Sequence, residues 1–423
     1  MTESNYIIVS SHARIGSYAL FRPRHTTIIL ICLGLMFIGD SANSLLLHLG
    51  SSFYRVSIFI RVFVQMYFML LLARKRQGFY TLGLYLLIVT IFIVGSLFAV
   101  GAVGNLQPYN WFENFNIINK MMFLFISWET LNVYFKSSRD QSRLFRVFEI
   151  LVILQTLAVL VGFVFKLDFL SSYGQDYKFG YRGFIPARNE VSGFFVISFF
   201  YYLCQVVYFK RGILQLIVVT IAGLLTGTKV TLILPAILLL YIARWLLSGR
   251  LNKRYFLISL VIVGMVVGGL LYKDYLLSRL EPTISYYTYR LVQLDYSIID
   301  IASSGRSFLL NDFISDYLPR FNPLNIFFGG LDMSYFSTET DLIDVFARLG
   351  VIGGFVFYFF YLRVLLYPIR NRIRFTPLVF VITWLGVSVV AGHLVFSAIN
   401  GIYLAILLLS FALIESNRNL RLN

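Results

Sequence analysis

A chain of 423 residues with 58% hydrophobic and only 13% charged side chains has a mean hydropathy of +0.78, far from the roughly 45–50% apolar, 25% charged make-up of soluble domains. Its 42 Phe, 28 Tyr and two cysteines exclude a disordered chain, a collagen-like repeat and a disulfide scaffold, and leave a polytopic membrane protein. The net charge of +16 is then first a matter of asymmetric basic loops, and nucleic acid is not an expected partner.

A helix crosses the hydrocarbon core in about 20 residues, and the apolar runs predict an all-α bundle of about twelve spans. They lie near 26–49, 56–73, 79–104, 116–135, 147–166, 190–209, 212–227, 230–247, 255–272, 343–365, 376–391 and 394–414. The tail 1–25 lacks a cleavage site after a short apolar region, so the first span reads as an anchor. Residues 26–272 hold spans one to nine with an external loop at 167–189. Residues 273–342 form an external loop subdomain, 343–414 the last three spans, and 415–423 a second tail. Were the Thr226-Gly227-Thr228-Lys229 break buried, spans seven and eight would fuse into one re-entrant pair. Cys32 and Cys204 sit inside apolar runs, where thiols behave as small hydrophobes.

Alternate connections carry basic clusters, Arg74-Lys75-Arg76, Lys136 to Arg146, Lys210-Arg211, Arg244 to Arg254 and Arg363 to Arg374, which together with the two tails hold 22 of the 36 Lys and Arg residues. The positive-inside rule assigns this face, and both termini, to the cytoplasm. On the other face the stretch from Lys273 to about Leu342 is far longer than a hairpin needs. It reads as two or three short amphipathic helices along the membrane surface, with Tyr286, Tyr287, Tyr289 and Tyr296 as interfacial residues or as platforms for sugar rings.

The positive-inside rule gives no reason for cations on this outer side, yet Lys178, Arg182, Arg188, Lys229, Arg290, Arg306, Arg320 and Arg348 fall there. Either they hold an anionic ligand, for which Arg offers a bidentate fork, or they pair with Asp312, Asp316, Asp332, Asp341 and Asp344. The ligand reading is favoured for Arg182 and Arg306. Within the spans, Arg61 and Lys120 lie about five residues from an outer end, within snorkelling reach, and Asp40 can neutralise Arg61 across neighbouring helices. His393, between the last two spans, is a candidate general acid, base or phosphate donor, or a helix cap. No HExxH, clustered His/Asp or Cys pair points to a metal, and no P-loop to a nucleotide, so no cofactor is expected.

One string carries more information. Ser304-Gly305-Arg306 opens an apolar-periodic stretch; Phe328-Gly329-Gly330 follows; then Glu339-Thr340-Asp341 precedes a span with Gly350-Val351-Ile352-Gly353. This order resembles the bacterial O-antigen ligase and polymerase (Wzy-type) superfamily, in which a Gly-Arg opens an external helix, a Phe-Gly turn follows, and an acidic residue or His precedes a span with Gly-x-x-Gly. Upstream, Gly180-Tyr181-Arg182-Gly183-Phe184 through Asn189-Glu190 resembles that family's other external arginine loop, with Gly193 eleven residues after Arg182. The Thr226 to Lys229 turn resembles its small-residue-plus-cation break. The resemblance covers about residues 175–400. Where ligases carry His, this chain has Glu339, which favours the polymerase branch; a second Arg-x10-Gly is absent, since Tyr317 stands eleven residues after Arg306.

The resemblance implies a metal-independent glycosyltransferase on the outer face of the bacterial inner membrane. Its substrate would be a polyprenyl-pyrophosphate-linked oligosaccharide, with a chain-length regulator as a candidate partner. Arg182, Arg188, Lys229 and Arg306 would bind pyrophosphate, Glu339 would be the base with Asp341 and His393 as the other candidates, and Arg61 and Lys120 would line a lipid groove. An O-antigen ligase and a lipid-linked oligosaccharide flippase are the alternatives; the asymmetric long loop and the lack of repeated halves speak against a transporter.

Overall fold

The computed structural model describes residues 24–51, 55–98, 109–173, 178–247, 273–294, 296–297, 300–301, 303–334, 336–370 and 374–419. The predicted span 255–272, most of the N-terminal tail with His12, and the basic residues of the 250–254 connection lie outside them. Among the described residues the protein is all-helical, with one isolated β-bridge between Ser171 and Tyr181. In chain order the helices are α1 (His25–His48), α2 (Val56–Ala73), α3 (Gly78–Leu97), α4 (Trp111–Tyr134), α5 (Ser138–Phe165), α6 (Arg188–Phe209), α7 (Ile213–Leu225) and α8 (Ile233–Leu247). They continue with α9 (Lys273–Val292), α10 (Arg306–Asp312), α11 (Pro323–Phe328), α12 (Asp341–Leu365), α13 (Phe375–Ala391) and α14 (Ala398–Asn419).

Six of these, α1, α2, α3, α5, α6 and α12, are long and apolar enough to cross a membrane. At 1.5 Å per residue, α7 with 13 residues and α8 with 15 each fall short of the ~30 Å hydrocarbon core on their own. The break between them is packed over: Thr226 is buried, and the backbone N–H of Tyr181 donates to Leu225 at 2.9 Å. Helix α5 begins nine residues before the predicted span. Ser137 caps it by accepting from the Asp140 N–H at 3.1 Å, so Arg139, Arg143 and Arg146 lie on its first turns instead of in a loop.

Contacts sort the helix ends into two sets. At one end, the start of α1 meets the ends of α2 and α4: His25 Nδ1 lies 3.2 Å from the Tyr67 hydroxyl, and Tyr134 donates to the Leu71 carbonyl at 3.1 Å. Thr26 reaches Asp140 at the start of α5, and Tyr241 of α8 reaches Thr376 at the start of α13. At the opposite end, the start of α4 is tied to the segment after α11, because Asp332 accepts from Asn110 N and Asn114 Nδ2 at 2.9 and 2.6 Å. Buried Arg348 of α12 also bonds Asn114, through its carbonyl at 3.1 Å and its amide oxygen at 2.7 Å. Helix α1 therefore runs antiparallel to α2 and α4.

Helix α6 is the centre of the bundle, with 89% of its apolar window buried against 33% for peripheral α3. Around the outside, Phe63 (70% exposed), Leu86 (63%) and Phe355 (65%) belong to an apolar belt. A soluble surface would not tolerate this much exposed apolar area, whereas lipid chains cover it at no cost. Because lipid removes the hydrophobic drive between helices, the buried polar contacts and close backbone approaches between them matter more.

Candidate functional site

The second set of helix ends encloses a cavity of about 680 Å³. Several segments distant in sequence build its wall, and glycines bring some of them together. The 178–187 segment lies against the α7–α8 break, where a Cβ on Gly227 would sit 2.1 Å from the Phe179 carbonyl oxygen. Gly193 of α6 likewise faces Asn400 and Leu394, with 2.4 Å to the Asn400 amide nitrogen from its Cβ position. At Gly227 and Gly180 the approach is between backbones, Gly180 facing the Thr226 carbonyl, whereas Gly193 meets side chains.

On this wall the structure brings together Arg182, Arg188, Lys229, Arg306, Lys120, Glu339 and His393. Arg182 is half-buried; its Nη1 donates to the Pro186 carbonyl at 2.9 Å, and its own carbonyl accepts from Gln155 at 2.6 Å. Burial first, and the nearby Arg188 charge second, lower its affinity for the proton. Lys229 donates to the Ile301 carbonyl and to Ser304 Oγ, the latter at 3.1 Å, which docks the break onto the residues preceding α10. Burial and the charges of Lys178, Arg306 and Arg290 push Lys229 down to about 8. Arg306 heads α10, and its Nη2 stands 3.6 Å from Glu339 Oε2. Burial lowers its pKa, partly offset by Glu339, Asp341 and Asp344.

Two candidates lie elsewhere. Asp341 does not line this cavity. Its carboxylate is buried, and Oδ2 accepts from the backbone N–H groups of Leu394 and Val395 at 3.0 and 2.9 Å, pinning the loop that presents His393. Arg61 is also set back: it holds Asp40 at 2.6 Å and Glu190 at 3.7 Å. The Asp40–Arg61 pair is the one expected across α1 and α2, and Glu190 extends it to the cavity wall. Of the acidic residues expected to neutralise outer arginines, Asp332 and Asp344 instead accept from the chain around them, Asp344 from Thr338 N at 2.8 Å and from Ser337 at 2.6 Å.

Strain marks the same place. Five described non-glycine residues have positive φ; two, Lys166 and Lys210, are helix C-caps, and the other three, Ser304 (60°), Glu339 (54°) and His393 (60°), all line the cavity. Residues outside the common backbone regions persist where surroundings over-determine them and cluster at functional sites. Burial lowers the pKa of the His393 imidazole, opposed in part by Asp344 and Glu339.

The lining also includes Glu190, at the end of the arginine loop, and residues that no motif singles out: Lys178, Arg290, Tyr173, Tyr286 and Tyr287. Two signals are readable among them: Lys178 and Arg290 are cations on the side the basic clusters avoid, and Tyr286 and Tyr287 are interfacial or sugar-stacking candidates of the long loop. Tyr286, Tyr287 and Arg290 fall on one face of α9 by their i, i+1, i+4 spacing, and Phe179 N–H donating to Thr283 Oγ1 at 2.8 Å holds that helix over the 178–187 segment. Among the described residues no three His, Cys, Asp or Glu side chains are grouped to hold a metal ion.

The chain is thus defined at the level of class: a multi-helix membrane protein with a polar, strongly cationic cavity at one end of its bundle. No protein-family model, no curated protein and no solved structure matches it.

Proposed function

We propose that this protein is a polysaccharide polymerase of the bacterial inner membrane, transferring a growing glycan from polyprenyl pyrophosphate to the next lipid-linked repeat. In this reading about twelve spans cross the membrane. The end carrying Arg74 to Arg76 and Lys136 to Arg146, with both termini, faces the cytoplasm, and the cavity opens on the external face. One observation supports the reading above all others: Arg182, Arg188, Lys229 and Arg306, drawn from three motifs up to 124 positions apart, line one cavity with Glu339 and His393.

The chemistry follows from that arrangement. The bond between the donor sugar C1 and the pyrophosphate oxygen breaks, and its electron pair leaves with the polyprenyl pyrophosphate. The acceptor hydroxyl oxygen bonds C1, and its proton passes to a base. Negative charge grows on the leaving oxygen, so cations fixed around it favour the transition state over the ground state. Arg182, Lys229 and Arg306 are held for that role by Pro186, Ile301 and Ser303. Glu339 is the proposed base because it lines the cavity and remains 46% exposed in its side chain, open to an incoming hydroxyl. His393 is the second candidate, and Asp341 acts by positioning it.

The test is incubation of the purified full-length protein in detergent with a synthetic polyprenyl-pyrophosphate-linked repeat, without nucleotide, followed by separation of glycan lengths. A ladder that Arg306→Ala abolishes supports the proposal. A single unextended band from folded protein and competent substrate overturns it in favour of the flippase or ligase reading, which a translocation assay then separates.

A further inference from the structure

The cavity carries more positive charge than one pyrophosphate requires. Seven cationic side chains line it against two carboxylates, Glu190 and Glu339, an excess of five among the described residues. Adding the Arg61–Asp40 pair behind Glu190 leaves that excess unchanged. A donor pyrophosphate brings roughly two negative charges, one for each phosphate diester. The acceptor's own pyrophosphate lies a whole repeat away from the hydroxyl that reacts. A volume of about 680 Å³ suits a single ligand of modest size, so it does not hold both lipid heads. About three positive charges therefore remain for the glycan.

The surplus cations share one arrangement. Lys178 Nζ lies 4.8 Å from the Tyr173 ring centre and 5.0 Å from that of Tyr287. The Arg188 guanidinium stacks on Tyr173 at 4.2 Å, and that of Arg290 on Tyr286 at 4.6 Å. A stacked guanidinium keeps its donors in plane for a carboxylate or phosphate, and a tyrosine ring beside it offers an apolar face to sugar C–H groups. Crowding is also felt at Lys229, held near 8 by burial and then by Lys178, Arg306 and Arg290.

We propose that the repeat unit is acidic, and that Lys178, Arg188 and Arg290 with the rings of Tyr173, Tyr286 and Tyr287 form a subsite for an anionic sugar bearing a carboxylate or phosphate. The identity of the ligand as a glycan rests on the polymerase reading; its acidity rests on the cavity charge alone.

The experiment compares two synthetic polyprenyl-pyrophosphate-linked oligosaccharides, one carrying a hexuronate and the other the same sugar with its carboxylate reduced to the alcohol. Binding and chain extension are both measured on the full-length protein in lipid nanodiscs. The acidic form should bind roughly tenfold or more tightly, the scale of one charge-assisted contact, with an advantage that shrinks as salt is raised. Lys178→Gln with Arg290→Gln should erase most of that advantage, while Lys178→Arg should keep it. Should the Gln pair fail to fold, the wild-type comparison decides by itself. Equal binding of the two forms overturns the acidic subsite, even where both are extended and the polymerase reading stands. Selective binding of the acidic form without extension upholds the subsite and removes the polymerase reading.

Discussion

Replacing Gly392 by alanine disturbs the site through its backbone without touching a charged group. Gly392 is buried between α13 and His393, with φ 59° and ψ 160°, a region that residues with a side chain occupy at a cost of about 1–3 kcal/mol. Its Cβ would lie 1.9 Å from the carbonyl oxygen of Glu339. Relief of that overlap needs a shift of at least about 1 Å, since a Cβ essentially never comes within 3.0 Å of another heavy atom. The displaced groups are Glu339 and the adjoining His393, and misplacement by that distance costs a reaction about 100-fold. Gly392→Ala should therefore lower the chain-extension rate by about that factor and reduce the unfolding midpoint measured in detergent. Gly386→Ala is the control: it lies in the body of α13, where nothing comes within 4 Å of its Cβ position, and both quantities should hold or improve slightly. A Gly392→Ala protein with wild-type rate and midpoint would show that the 339–341 and 392–395 segments do not work as a unit.

Two further predictions concern charge. The buried Asp40–Arg61 pair is joined by Glu190 at 3.7 Å, so Arg61→Leu, which strands two carboxylates, should destabilise the protein by about 3–5 kcal/mol, and Asp40→Asn by less because Arg61 keeps Glu190; denaturant titration in mixed micelles measures both, and equal losses would refute this arrangement. Lys229, held near 8 against an ordinary value near 10.5, loses its charge earlier in the folded protein than in the unfolded chain. Between those values the unfolded state binds more protons, so this group's contribution to stability rises with pH. Affinity for inorganic pyrophosphate should move the other way, weakening as pH passes about 8, and Lys229→Arg should flatten that profile; a wild-type profile already flat from pH 7 to 9 would refute it.

Several features were legible in the order of residues alone. Composition requires a helical membrane protein, and uninterrupted apolar runs mark helices such as α2, predicted at 56–73 and found there. Charge at the wrong place was equally readable: cations on the side that the basic clusters avoid line one cavity, and three motifs held four of them. What the sequence could not supply is which face of each helix turns inward. Lipid and protein interior are both apolar, so the periodicity that reveals the buried face of a soluble helix is weak here. Helix α4 illustrates the loss, since Met122, Leu124 and Ile126 are all buried although they point in different directions. The tertiary structure therefore decided that Glu339 and Asp341, two residues apart, have different surroundings. Glu339 is turned into the cavity by a positive φ, and Asp341 is spent on the backbone of the His393 loop. It also decided that Lys178, Arg290 and three tyrosines join the site, because a helix more than 100 positions downstream of Lys178 folds back over it. Sequence distance hides such pairs, and the close backbone contact at Gly227 and the hydrogen bond from Phe179 to Thr283 are what bring them together.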